Sequence, residues 1–256
     1  MRILRRFTAA IAVLMPFSLA AHEFWIEPTE RPNLSGEQVL EVRVLVGEGF
    51  RGTVYPFEPR AYAAAYWIGP QRTEALHAQP LSNRDVSLDV QGDGLHTLAV
   101  TSFGIELVHE TVQDFLAFAQ EIGAEQKVAE TQPVTDDKGG VREKYRRFSK
   151  LLVRYGEAKT QDKRHGFAYE WVKSAGGLTL YADGNVAKDQ PIDLFCRFSD
   201  GKVIHERLRT DTNGLVPYVS KVPNRCMVNA VFLRPSASGR DWSSDWVSMT
   251  WDPQHW

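Results

Sequence analysis

Alternating apolar and polar residues constrain the fold of this chain more than any other feature. The sequence VLEVRVLVGEGF places Leu40 and every second residue to Val46 on one face and Glu41 and Arg43 on the other. A period of two is typical of a half-buried β-strand. The runs AYAAAYWIG, VSLDV and LHTLAVTS follow at short spacing, separated by Pro, Gly, Asn and Asp. These patterns predict an N-terminal β-sandwich over residues 22–110.

A second group of short strands lies toward the end of the chain. The runs LTLYADG, IDLFCRFSDGK, VIHERLRT and CMVNAVFLRP are each bounded by turn residues. SDGK and TDTNG contain the Asp-Gly and Asn-Gly pairs that favour tight turns between antiparallel strands. We therefore predict a C-terminal immunoglobulin-like β-sandwich over residues 167–256, which also resembles carboxypeptidase-regulatory modules.

Between the two β regions the apolar period changes to that of a helix. In TVQDFLAFAQEIG, Thr111 and Asp114 can form a capping box and Gly123 can end the helix. A second helix is predicted for VREKYRRFSKLLVRYGE. Its apolar stripe consists of Val141, Tyr145, Phe148, Leu152 and Tyr155. The predicted fold class is mainly β, with two β-sandwich modules joined by a two-helix segment over residues 111–158.

Two polar segments, residues 132–140 and 159–166, contain few apolar residues that could hold them in a core. We expect limited proteolysis to cut first in these two segments.

The first 21 residues have the layout of a secretory signal peptide. Three arginines precede an apolar stretch over residues 7–17, and small residues follow it. A stretch of about eleven residues is shorter than the roughly 20 that a transmembrane helix needs, and no later segment approaches that length. Cleavage after Ala20 fits the local small-residue rule better than cleavage after Ala21. We expect an exported, periplasmic protein with no transmembrane segment in its mature form.

The charge balance argues against nucleic acid as a partner. Removing the first 21 residues takes away three arginines and leaves 27 basic against 32 acidic residues, a net charge of −5. Such a surface lacks the basic patch that nucleic acid binding requires, whereas it can accept a divalent cation.

The two cysteines, Cys196 and Cys226, both lie in apolar runs. In an oxidising compartment they can form a disulfide whose loop of about 30 residues would stabilise the fold by roughly 3–4 kcal/mol. The alternative is two buried thiols in adjacent strands.

The sequence contains no nucleophile elbow, P-loop, dinucleotide-binding glycine pattern, HExxH helix or CxxC pair. We therefore predict no enzymatic activity. The mature amino terminus is the main candidate for a binding site. If His22 is the first residue, its α-amine and ring nitrogen can take two positions of a T-shaped copper site. If Ala21 is first, the amine, the deprotonated amide and the His22 ring can bind copper(II) or nickel(II) in a plane. Alternatively, His22 only begins the first strand, and Phe24, Trp25 and Ile26 hold the terminus in the sandwich.

Two further histidines are candidate metal ligands. His96 shares a predicted strand face with Leu98 and Val100, which also fits a histidine in the core. His109 precedes the first helix and can lie at a domain edge. The candidate metal set is therefore His22, His96 and His109.

Four motifs, AHEFWIEP, EKYRRFSKLLVRYGE, TDTNG and DWSSDWVSMTW, together resemble one bacterial family, domain of unknown function family 4198. That family is similar to the periplasmic subunit found with nickel and cobalt uptake transporters. The resemblance spans nearly the whole mature chain and implies two β modules bridged by helices, with a role in metal delivery or uptake.

The resemblance also bears on individual residues. It implies that His22 is the motif histidine, with Glu23, Trp25 and Glu27 beside it, and that maturation occurs directly before His22. Relatives often carry a histidine at the position of Phe232. If that histidine is a ligand in metal-binding relatives, this chain lacks it.

These observations lead to one main functional hypothesis and two alternatives. The main hypothesis is an exported protein that binds nickel, cobalt or copper through its mature amino terminus as an accessory to metal uptake. Its partner would be an inner-membrane transporter or an outer-membrane receptor. The first alternative is an immunoglobulin-like interaction or structural module of the cell envelope that binds no metal. A more remote alternative is a copper oxidase of the histidine-brace type.

Overall fold

The computed structural model describes residues 22–30, 39–76, 85–217 and 223–255. The predicted signal peptide and both predicted cleavage sites lie outside these residues. The strands that precede the helices are β1 Glu23–Pro28, β2 Val39–Glu48, β3 Arg51–Tyr55, β4 Tyr62–Ile68, β5 Thr73–Ala75, β6 Asp85–Asp89, β7 Gly94–Ser102 and β8 Ile105–His109. The helices are α1 Val112–Glu121 and α2 Glu125–Thr131. The strands that follow are β9 Val141–Tyr155, β10 Tyr169–Ser174, β11 Gly177–Ala182, β12 Asn185–Val186, β13 Pro191–Arg197, β14 Val203–Arg209, β15 Leu215–Val216, β16 Arg225–Pro235 and β17 Trp242–Trp251.

The described strands form three sheets. An N-terminal outer sheet contains β1, β2, β3 and β6, and a C-terminal outer sheet contains β10, β11, β12 and β15. The central sheet has nine strands in the order β14-β13-β16-β17-β9-β7-β4-β5, with β8 also pairing with β9. The mainly β fold predicted from the period-two pattern is therefore confirmed.

The two outer sheets cover opposite faces of the central sheet. Along β9, Phe148 and Leu152 pack into the core that the central sheet shares with the C-terminal outer sheet. Leu151 and Val153 pack into the core beneath the N-terminal outer sheet. Since successive side chains of a strand point to opposite faces, β9 contributes to both cores at once. The result is a three-layer arrangement.

The second predicted helix is wrong. Residues 141–155 form β9, a 15-residue strand that pairs with β17 in parallel and with β7 and β8 in antiparallel fashion. A central strand covered on both faces has apolar residues on both of them, so it loses the alternation that identifies a half-buried strand. Lys150, Leu151 and Leu152 are all buried, although lysine is normally an exposed residue. With Lys150 counted as exposed, the remaining apolar residues fit the period of an amphipathic helix.

The first predicted helix is confirmed, including its start. The Thr111 hydroxyl accepts a hydrogen bond from the Asp114 backbone N–H at 3.1 Å, and the Asp114 carboxylate accepts one from the Thr111 backbone N–H at 3.0 Å. This reciprocal capping box satisfies two backbone donors at the helix start. Gly123 follows the helix at φ +71°, a conformation that glycine adopts without strain. Phe115 and Phe118 bury the helix against Trp242 and Trp246 of β17.

Strands from both predicted modules meet in the central sheet, where β17 lies beside β9 and β9 lies beside β7. Cys196 of β13 and Cys226 of β16 stand directly opposite each other and form a disulfide. No helix among the described residues is long and apolar enough to cross a membrane.

Candidate functional site

The chain segment that follows His22 is held firmly in the fold. Trp25 and Ile26 are completely buried in β1. The Phe24 carbonyl accepts a hydrogen bond from the Ser248 hydroxyl at 2.6 Å. The buried Glu27 carboxylate accepts a hydrogen bond from Arg197. These contacts fix the position of β1, so His22, the residue directly before this strand, has a defined position.

Four carboxyl groups from separate parts of the chain lie around the start of β1. Glu23 begins β1, Glu48 ends β2, Glu121 ends α1 and Asp193 lies in β13. We call these four residues the terminal acidic cluster. They are close enough for Asp193, Glu48 and Glu121 each to raise the pKa of Glu23.

Glu23 is the least satisfied member of the terminal acidic cluster. Its Oε2 atom is buried and has no hydrogen-bond partner in the described part of the chain. Burial first, and then the negative charge of Asp193, raise the pKa of Glu23 to about 8, against a smaller opposing contribution from a hydrogen bond with the Gly49 backbone. An ionised carboxylate at this position is therefore costly in the absence of a positive charge.

Glu121 is an exposed residue whose pKa is also raised. Burial and the neighbouring Glu48 raise its pKa, whereas Arg207 and His22 lower it. It also lies in the last turn of α1, where the helix dipole disfavours negative charge. The effect of His22 on Glu121 shows that the histidine side chain lies within electrostatic range of this carboxyl group.

Asp193 already has cationic partners. Arg207 donates two hydrogen bonds to its two carboxylate oxygens, from Nε and Nη2, each at 3.0 Å. The His205 Nε2 atom lies 2.6 Å from Asp193 Oδ1. The bidentate arginine pair satisfies Asp193, whereas Glu23 Oε2 has no hydrogen-bond partner among the described residues.

His96 lies in the core between the N-terminal outer sheet and the central sheet. Its ring is completely buried, stacks on Trp67 with centroids 5.3 Å apart, and meets the edge of Tyr155. Its Nε2 accepts a hydrogen bond from the Gln91 backbone N–H at 3.3 Å, and its Nδ1 lies 3.3 Å from the Gly94 carbonyl oxygen. Both ring nitrogens therefore have backbone partners.

His109 lies in a different buried cluster, beneath α1. Its Nε2 is 2.7 Å from Glu143 Oε2, and its ring stacks on Phe118 with centroids 5.2 Å apart. The Glu143 carboxylate also accepts a hydrogen bond from the Ser244 hydroxyl, which in turn accepts one from the Trp246 indole at 3.0 Å. His109 Nδ1 is buried without a hydrogen-bond partner among the described residues.

The structure does not bring the three predicted metal ligands together. His96 pairs with Val153 and His109 pairs with Val141, positions twelve residues apart in β9, or roughly 40 Å of extended strand. In the described ranges, no group of three or more His, Cys, Asp or Glu side chains is arranged to hold a metal ion. The metal-binding roles of His96 and His109 stay predictions.

Phe232 faces the opposite side of the central sheet from β1. It packs on Tyr169 of the C-terminal outer sheet, with ring centroids 4.9 Å apart, at the edge of the core that contains Val228 and Ala230. A histidine at position 232 would therefore point away from His22.

The donor atoms near the predicted mature terminus are of types that transition metals bind. The His22 imidazole and the α-amine that would exist if His22 were the first residue are nitrogen donors, and the adjacent Glu23 carboxylate is an oxygen donor. Glu121 lies within electrostatic range of His22. Glu23 Oε2 is buried without a hydrogen-bond partner among the described residues, and a cation bound there would compensate for the missing hydrogen bond. Metal binding at the predicted mature terminus stays a prediction.

Sequence reasoning found His22 and Glu23 because they are adjacent in one motif, but missed Glu48, Glu121 and Asp193. These three residues come from β2, α1 and β13, and no local pattern distinguishes them from ordinary surface acids.

No protein family, no curated protein and no solved structure matches this chain.

Proposed function

We propose that this chain is an exported protein that binds a transition metal ion, nickel, cobalt or copper, at its mature amino terminus. Its role would be that of an accessory to metal uptake in the periplasm. The observation that carries the proposal is the position of His22 beside the terminal acidic cluster, where Glu23 Oε2 is buried without a hydrogen-bond partner among the described residues.

Electrostatics supports a cation at this position. Glu23 and Glu121 both have raised pKa values, in each case because burial and neighbouring carboxyl groups penalise the negative form. The Arg207 and His205 side chains contact Asp193 rather than Glu23. A divalent cation near Glu23 would supply positive charge there and relieve the repulsion between the carboxyl groups. A bound ion would also replace the hydrogen bonds that Glu23 Oε2 lacks.

Each donor has a distinct role in this proposal. The His22 ring and the terminal amine would supply the nitrogen ligands, and Glu23 would supply an oxygen ligand. Glu121 would add negative charge within electrostatic range of His22. Glu27, which the resemblance places in the same motif, accepts hydrogen bonds from Arg197 and Trp25 and so anchors β1. The metal itself would be the cargo rather than the agent of a reaction.

The alternative function is an interaction module of the cell envelope without a metal. Two observations favour it: His96 and His109 are embedded in separate cores, and all five residues of the edge strand β3 are exposed. An exposed edge strand can pair with a strand of another protein.

The test is calorimetric titration of the protein that begins at His22 with copper(II), nickel(II) and cobalt(II) at neutral pH. We expect saturable binding of at least one ion. His22→Ala should weaken it by at least about tenfold, which corresponds to about 1.4 kcal/mol. Glu121→Gln should also weaken it, and so should any additional residue that precedes His22 and takes over the free α-amine.

His165→Gln is the matched histidine control. His165 follows β9 in the segment before β10, close to Lys150 and Asp162, and it should not affect binding. If none of the three ions binds saturably, or if His22→Ala binds as tightly as the unchanged protein, the metal proposal is wrong and the interaction module takes its place.

A further inference from the structure

Arg147 is a largely buried cation for which the described residues supply no anion. It lies in β9, and its Nε atom is buried without a hydrogen-bond acceptor. Within the described part of the chain, its guanidinium group makes no hydrogen bond or ion pair with any other residue. A buried charge is normally paired because its desolvation costs free energy. Arg147 therefore has unused capacity to bind an anion.

Three other arginines of the central sheet are paired with acidic residues. Arg146, the preceding residue, donates a hydrogen bond from Nε to Asp245 at 2.7 Å. Arg197 and Arg225 both contact the Glu27 carboxylate. The fold thus pairs these partly buried guanidinium groups with acids, and Arg147 differs from them.

Aromatic rings surround the Arg147 side chain. Its Cζ atom lies 5.2 Å from the centroid of the Phe24 ring and 5.1 Å from that of Tyr145. Tyr55 and Tyr62 are close enough to interact with it electrostatically. Cation–π contacts stabilise the guanidinium group only partly, because a ring face carries no net charge. Burial accordingly lowers the pKa of Arg147.

The surroundings also offer apolar surface that solvent can reach. Tyr55 is 56% exposed and Phe103 is 57% exposed. Phe103 follows Ser102, whose hydroxyl accepts a hydrogen bond from the Arg147 backbone N–H at 2.9 Å. Of these two rings, Tyr55 is the one that interacts electrostatically with Arg147, so a ligand at the guanidinium group can place an apolar part against Tyr55.

We propose that Arg147 anchors a binding site for a small organic anion that has an apolar body. The guanidinium group presents parallel N–H donors that match a carboxylate. Tyr55 packs on the apolar body. This site is separate from the terminal acidic cluster and does not depend on metal binding.

The test titrates benzoate, acetate and inorganic phosphate into the metal-free mature protein and follows binding by calorimetry and NMR. We expect benzoate to bind saturably and more tightly than acetate, because only benzoate carries a ring that can pack on Tyr55. Arg147→Gln should weaken benzoate binding by at least about tenfold. Arg142→Gln, at an exposed arginine of the same strand, should leave it unchanged.

Two further variants keep the test decisive if Arg147→Gln fails to fold. Tyr55→Ala changes an exposed residue and should reduce benzoate binding to the level of acetate. Arg147→Lys keeps the charge but loses the parallel donors, and should bind benzoate less tightly than the unchanged protein. Absence of saturable binding by all three anions would overturn the proposal. So would benzoate affinities that neither the Arg147 variants nor Tyr55→Ala alter, or phosphate binding that is tighter than that of both carboxylates.

Discussion

Buried charged side chains decide how the segment between β9 and β10 is held. Lys150 is buried in β9, and its Nζ lies 2.8 Å from Asp162 Oδ1 and 3.4 Å from Glu170 Oε1. Asp162 also accepts a hydrogen bond from the Lys173 backbone N–H at 2.8 Å. The sequence suggested a solvated polar loop, whereas these contacts attach it to the central sheet. His165 lies beside this network.

We predict that the stability of the fold depends on pH because of His165. Burial, and then the positive charge of Lys150, lower its pKa to about 4. An imidazole in the unfolded chain titrates near 6.5, so between roughly pH 6.5 and pH 4 the unfolded state binds more protons. The folded state therefore loses stability as the pH falls through this range, and the contribution is fully present above it.

His165→Gln should remove that dependence. Between pH 7 and pH 4 the unchanged protein should lose about 1–2 kcal/mol more free energy of unfolding than the variant does, a range that allows for solvent screening at the partly accessible ring. Urea denaturation of both proteins at several pH values measures the difference. Parallel pH profiles for the two proteins would contradict the prediction.

Among the secondary-structure elements, β9 and the segments on either side of it depart most from the sequence prediction. Both polar segments, residues 132–140 and 159–166, were expected to be cut first by proteases. The structure distinguishes the two segments, because only the second is held by buried contacts. Asp162 is buried against Lys150, and Arg154 donates hydrogen bonds to the Ala158 and Thr160 carbonyls at 2.8 Å. The first segment has mostly exposed residues between α2 and β9.

We therefore predict that limited proteolysis cuts residues 132–140 well before residues 159–166. Cleavage requires local unfolding, and the second segment must break buried ion pairs to unfold. Mass spectrometry of early fragments identifies the site. Lys150→Met should expose the second segment to cleavage, whereas Lys144→Met, at an exposed position of the same strand, should not. Early cutting within residues 159–166 of the unchanged protein would count against this assignment.

For the whole molecule, the shared central sheet means that the two predicted modules are not independent. Leu95 of β7 and Phe148 and Leu152 of β9 fill the same core as Trp171 of β10 and Trp251 of β17. β9 lies between β17 and β7 and also contributes to the second core. Loss of one core would therefore expose the apolar residues of the other.

We predict a single cooperative unfolding transition for the chain that begins at His22. Two separate sandwiches joined by a helical connector would instead unfold in two steps. Tryptophan fluorescence and far-ultraviolet circular dichroism, recorded during the same urea titration, should give coincident midpoints. Two resolved transitions would show that the modules unfold independently despite the shared sheet.

Local sequence patterns determined several features of this protein without tertiary information. The period of two along residues 39–46 predicted β2, and the Thr111 and Asp114 pair predicted the start of α1. The mainly β class follows from the same short-range signals. They succeed because a half-buried strand and a capped helix start depend on residues that lie within a few positions of one another.

The tertiary structure alone decided which residues lie near the start of β1 and which strand joins the two halves. Glu48, Glu121 and Asp193 meet Glu23 only because β2, α1 and β13 converge there, and their separation in sequence hides this. β9 was mistaken for a helix because burial on both faces removes the alternation that marks a strand. Long-range packing sets the charge environment at the start of β1, and the sequence by itself contains His22 but not its neighbours in space.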